Sequence, residues 1–124
     1  MIRDEDLPGL IRAHIPSVWA LELLLLLKRT RERRWTVDLL TAELRGSPNL
    51  VSACLQHFVR CGLVMEDDEN LYIFGPATEH LQLLADTLEQ EYRARPVRVI
   101  NIIAAPSDPV QQLADAFRLG GKPE

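Results

Sequence analysis

The side chains with the most chemical capacity crowd one short stretch, SPNLVSACLQHFVRCGLV, from Ser47 to Val64. It carries two chemistries. Cys54, His57 and Cys61 stand three and four residues apart, which lines up soft metal ligands along one flank of a helix. Asn49, Gln56 and Arg60, with Ser47, Ser52, Ala53 and His57 among them, form a polar set able to read base edges. Asn and Gln pair with adenine, and Arg pairs with guanine. Metal ligation is the weaker expectation. A structural zinc wants four ligands, usually drawn from two elements, and the sequence supplies neither a fourth Cys nor a paired His. The pattern therefore reads as two small buried thiols with His57 at the surface, and neither a metal nor a cofactor is expected. A redox thiol would need a depressed pKa, for which only Arg60 and His57 stand near in sequence.

The rest of the chain offers no catalytic grouping. His14 and His80 are isolated, and no Ser/His/Asp or paired-carboxylate arrangement has neighbours that suggest a site. The pair Gly120–Gly121 follows an apolar run rather than opening one, unlike a phosphate-binding loop. The expected protein is not an enzyme. A chain of 124 residues that is 47% hydrophobic and 26% charged builds one core. Lys and Arg number 14 against 18 Asp and Glu, a formal charge of −4. The molecule as a whole therefore gives no pull toward phosphate, and a nucleic-acid surface has to be local. Two cysteines seven apart on one helix cannot close a disulfide. The opening residues, MIRDEDLPGL, lack the basic start and apolar run of a signal peptide, and VWALELLLLL is too short to span a bilayer. A cytoplasmic protein without a membrane partner is expected.

Caps and breakers mark the elements that must position the reading stretch. Residues 1–16 read as an N-terminal arm, a short helix at best. Ser17 caps a helix through VWALELLLLLKRTRE, whose Leu run is apolar nearly all round and needs cover on more than one side. Leu23, Leu24, Leu26 and Leu27 are expected to find that cover with Leu81, Leu84 and Leu88 of a long helix from Ala77, and with Phe117 of the tail. The cover is either a folded-back layer or a second subunit. Trp35 is extended, Thr36 caps a short helix, and Gly46 is expected to take the left-handed exit conformation. Ser47 and Pro48 then start the next helix, which stops at Gly62. LVMEDDENLYIF reads as a hairpin around a polar turn. Beyond Pro96, PVRVINIIAA suits a strand by its β-branched content and a helix by its leading proline; helix is favoured. The tail carries an amphipathic stripe of Val110, Leu113, Ala114 and Phe117. The fold class is mainly α (α+β), with an arm (1–16), a core (17–75), a long helix with its following segment (76–105) and a tail helix (106–124).

The order helix, short strand, helix, turn, helix, hairpin, long helix resembles the winged helix-turn-helix fold. Within that fold the chain resembles small bacterial transcriptional regulators of the multiple-antibiotic-resistance and arsenical-resistance repressor types. Thr36 to Phe74 carry the resemblance, with Leu39, Leu40, Leu44, Val51, Leu55, Phe58 and Gly62–Val64 at the usual hydrophobic positions. It implies a two-stranded wing, added C-terminal helices, a homodimer, and duplex DNA read by residues 47–61. The reading set is then Ser47, Asn49, Ser52, Ala53, Gln56, His57 and Arg60. Lys28, Arg29, Arg31, Arg33, Arg34 and Thr36 are the candidate phosphate contacts, although cations at a helix end also simply complement its dipole in water. One departure cuts the other way. The wing tip, Glu66 to Glu69, is acidic where DNA-binding relatives tend to carry Arg or Lys, and such a tip repels a phosphate backbone. The alternative is a non-enzymatic protein-protein interaction module, an adaptor or assembly subunit that docks a protein partner through the acidic wing.

Overall fold

The computed structural model describes residues 5–104. Phe117, the tail stripe and the helix expected over 106–124 lie outside the described residues. The described chain is mainly helical, with a small antiparallel sheet. In order it forms α1 (Asp6–His14), α2 (Val18–Arg29), α3 (Val37–Leu44), α4 (Pro48–Arg60), β1 (Val64–Glu66), β2 (Tyr72–Phe74), α5 (Glu79–Ala94) and α6 (Pro96–Ala104).

Hydroxyl caps start four of these helices. The side-chain oxygens of Ser17, Thr36, Ser47 and Thr78 accept from the backbone N–H groups of Ala20, Leu39, Leu50 and Leu81. Each cap satisfies one of the donors that a helix start leaves unpaired. Pro48 sits in the first turn of α4, and Gly62 leaves that helix with φ 86. Helix α2 ends at Arg29, one turn short of the expected stretch. There the Thr30 hydroxyl donates to Leu26 O and accepts from Trp35 Nε1.

The turn between α3 and α4 differs from expectation. The left-handed residue is Arg45 (φ 55), not Gly46. Gly46 is required for a different reason: a Cβ there would lie 2.7 Å from Trp19 Cζ2. The indole occupies the space that any side chain at this position would need.

Strands β1 and β2 pair Val64 with Phe74, Met65 with Ile73 and Glu66 with Tyr72. Trp35 adds one antiparallel bridge to β2: its N–H donates to Tyr72 O at 2.8 Å and its carbonyl accepts from Tyr72 N at 2.7 Å. The extended conformation expected at Trp35 is therefore a third edge on the small sheet.

The apolar α2 is covered by its own chain. Leu23, Leu24 and Leu27 are fully buried in a cluster with Leu7, Leu10 and Ile11 of α1, Leu84 and Leu88 of α5, and Val99 of α6. Leu26 and Leu81 are partly buried against it. Within the expected arm, Asp6–His14 form the short helix α1, packed on α5 and α6. Residues 96–104 are helical, as the leading proline suggests. Leu39, placed among the core positions by its spacing, is instead 45% exposed, and Leu40 takes the buried place in α3. Among the described residues, no single helix is long and apolar enough to cross a membrane.

Candidate nucleic-acid interface

Helix α4 buries Val51, Leu55 and Phe58 and turns its polar residues away from them. Ser47, Asn49, Ala53 and Arg60 are exposed, while Ser52, Gln56 and His57 are half-buried. Three of the seven expected reading residues are already engaged within the fold, Ser47 through the cap it makes to Leu50 N. Gln56 Nε2 donates to Tyr72 Oη at 3.2 Å, and that phenol donates to Glu66 Oε2 at 3.1 Å, a relay that ties α4 to the hairpin. Burial, and then the Glu66 carboxylate, raise the Tyr72 pKa and keep the phenol a donor. His57 is not the free surface residue expected. Its Nε2 lies 3.0 Å from Nδ1 of His14, at the end of α1, and one ring nitrogen donates to the other according to tautomer.

The basic segment at the end of α2 and just beyond it is divided among several partners. Lys28, expected at phosphate, is held between Asp86 (2.9 Å) and Glu89 (2.6 Å) with only 12% of its side chain exposed. Arg29 faces Glu22 and Glu89, each at 3.9 Å. Arg31 donates to Gln82 and lies over the Phe74 ring, and Arg33 lies 3.9 Å from the Trp35 ring centroid. Arg34 pairs with Asp67 at 3.0 Å. Thr36 spends its hydroxyl on the α3 cap. Lys28 and Arg29 therefore serve the seam between α2 and α5, while Arg33 and Arg34 stay beside the small sheet.

The acids of the hairpin divide in the same way. Asp67 Oδ1 accepts from the backbone N–H of Leu71 and of Glu69, closing the turn that also holds Asn70 at φ 62. The Leu71 bond above all, then the Glu69 bond and Arg34, hold its carboxyl below the usual range against the opposing effect of desolvation. Glu66 receives the Tyr72 hydroxyl. Asp68 and Glu69 stand exposed at the tip.

A further grouping joins residues far apart in sequence. The ligand atoms of His14, His57 and Cys61 all lie within 4.8 Å of one another. The pairing of His57 with Cys61 is legible as a one-turn spacing, but His14 comes from another helix, and nothing local in the sequence points to it. Cys54 is not part of this grouping. Burial pushes both thiols up from their ordinary pKa, the reverse of what a redox-active cysteine needs.

No family model matches the chain, and no curated protein sequence matches it. Its fold is similar to the crystal structure of RV1404 from Mycobacterium tuberculosis, with 16% identity and a TM-score of 0.53. The match covers 95% of this chain and 82% of the other. At that identity the likeness is one of fold alone.

Proposed function

We propose that this chain is a winged-helix DNA-binding protein, a transcriptional regulator that reads duplex DNA with α4. The observation that carries the reading is the outward face of α4. A capped helix, entered from the short turn after α3 and followed by a hairpin, holds Asn49, Ala53 and Arg60 exposed on the side opposite Val51, Leu55 and Phe58. Helices presented in this way fit the major groove, where Asn reads adenine and Arg reads guanine. The phosphate grip falls to Arg31, Arg33 and the exposed Arg45 of the turn, with Lys28 excluded by its ion pairs. The reading includes a homodimer, which would set two copies of α4 on one face of the duplex.

Titrating the protein against a mixed duplex pool at two salt concentrations tests this. Binding should weaken with salt, with a slope of about −0.9 per phosphate neutralised. Arg60→Ala should cost about 1–3 kcal/mol on the preferred duplex. Absence of salt-sensitive binding to any duplex would overturn the proposal.

The rival, a protein-interaction module, is favoured by the exposed Asp68 and Glu69 and by the sequestered Lys28. The double variant Asp68→Lys/Glu69→Lys separates the two readings while sparing Asp67, which holds the turn. A DNA reader gains affinity and a steeper salt dependence. An adaptor binds no duplex and loses a stoichiometric protein partner in a pull-down.

A further inference from the structure

We propose that His14, His57 and Cys61 bind a zinc-class divalent cation at the junction of α1 and α4, with a fourth position left to water. Helix α4 supplies His57 and, at its C-cap one turn on, Cys61, and the last turn of α1 supplies His14. The ligand atoms lie within 4.8 Å of one another, and the two imidazole nitrogens are 3.0 Å apart. Tetrahedral bonds of 2.0–2.1 Å to nitrogen and 2.3 Å to sulfur separate two nitrogens by about 3.3 Å and a nitrogen from the sulfur by about 3.5 Å. The rings therefore need to part by only a few tenths of an ångström. The thiol closes the remainder by giving up its 3.5 Å contact with the Phe58 carbonyl.

The ring planes support convergence at their edges. They are tilted by 46° with centroids 5.1 Å apart, so nitrogens rather than ring faces approach each other. Beside them lies an open pocket of about 200 Å³, lined by His14 and His57 with Pro16, Ala20, Ala53, Cys54 and Phe58. It offers an entry path and a mostly apolar surround, which favours metal–ligand bonds over hydration. Two imidazoles and a thiolate suit a borderline-soft cation; Mg²⁺ and Ca²⁺ prefer oxygen. On binding, the Cys61 thiol releases its proton to solvent and the sulfur lone pair forms the new bond. The ring that donates in the His14–His57 hydrogen bond gives that proton up to solvent and takes one on its outer nitrogen, so both imidazoles coordinate as neutral rings. Sequence spacing alone offers Cys54 as the third ligand. The fold replaces Cys54 with His14.

The test uses the reduced full chain titrated with Co²⁺. One equivalent should bind with the intense visible bands of tetrahedral cobalt and a thiolate charge-transfer band, and Zn²⁺ should displace it. Added Zn²⁺ should also shield Cys61, but not Cys54, from alkylation in the unmodified protein, a readout that needs no variant to fold. His14→Gln and Cys61→Ser should each weaken binding by more than about tenfold, whereas Cys54→Ser should leave it unchanged. A folded protein giving no thiolate–cobalt band overturns the proposal, as does loss of the band on Cys54→Ser with Cys61→Ser unaffected. These readouts are independent of duplex binding.

Discussion

Arg45 and Gly46 carry opposite backbone demands in the turn that aims α4. Arg45 holds φ 55, a conformation costing an L-residue about 1–2 kcal/mol, while Gly46 is kept small by the Trp19 ring. Neighbouring substitutions should therefore act with opposite sign. Gly46→Ala drives a methyl into the indole and should destabilise the fold by about 1–3 kcal/mol. Arg45→Gly relieves the left-handed strain but makes the unfolded chain more flexible, so it should stabilise by at most about 1 kcal/mol. Urea midpoints of the two variants, measured against the parent, check both signs. A glycine directly after a helix is the ordinary signature of a left-handed exit. The sequence cannot show that a tryptophan from another helix has claimed the space instead.

At the scale of elements, α2 and α5 are joined by a polar seam beside their apolar one. Lys28 binds Asp86 and Glu89, and Tyr92 donates to Glu22 at 2.8 Å. Burial alone would lower the Lys28 pKa; the hydrogen bonds and charges of Glu89 and Asp86 outweigh it and raise the pKa. Burial likewise would raise the Asp86 pKa, and Lys28, followed by Gln82 and Arg31, brings it below its ordinary value. Lys28→Met should cost about 2 kcal/mol, because Glu89, only 14% exposed, loses its closest partner and keeps only the longer contacts with Arg29 and Arg93. Adding Glu89→Leu should recover much of that loss, since an apolar pair of similar volume replaces a desolvated ionic one. The sign with pH follows from the lowered Asp86 value. Its contribution is present above the ordinary carboxylate range and is lost as pH falls through the lower folded pKa. The raised Lys28 value acts at the other end, with stability present below the ordinary lysine pKa and lost as pH rises past the folded one. The gap between parent and Lys28→Met should accordingly be widest near neutrality and narrow below about pH 4. Denaturation curves across that range measure it. The run of cations was legible as a helix end, but the partners of Lys28 and Arg31 sit on a helix dozens of residues onward.

At the scale of the whole molecule, a charge of −4 and the dispersal of the basic segment leave α4 and its turn, with Arg31 and Arg33, as the surface on which the proposed duplex binding depends. The case for a dimer also moves. The expectation rests on the winged-helix resemblance and on a Leu run in α2 that needs cover on more than one side, and Leu23, Leu24 and Leu27 find that cover within one chain. Besides Leu39, Leu50, Met65 and Leu83, exposed apolar residues lie on α6, where Val97 is 68% and Ile100 37% exposed. If the protein pairs through this face, light scattering should give a dimer mass. Val97→Glu should then shift it toward monomer without unfolding, because the position is open to solvent. A monomer mass for the parent at every concentration would remove the dimer from the proposed function.

The elements were largely legible because their signals are local. Ser17, Thr36, Ser47 and Thr78 cap helices a few residues away, Gly62 ends α4, and apolar runs flank the polar turn of the hairpin. Such signals act over one helical turn or one hairpin, the range that sequence spacing samples. The tertiary structure alone decided that α1 belongs to the core, that Gly46 faces Trp19, that Lys28 lies out of reach of a phosphate, and that His14 meets His57 and Cys61. Each depends on a contact between residues far apart along the chain. Side-chain periodicity says which face of a helix is buried, but not which distant residue lies against it.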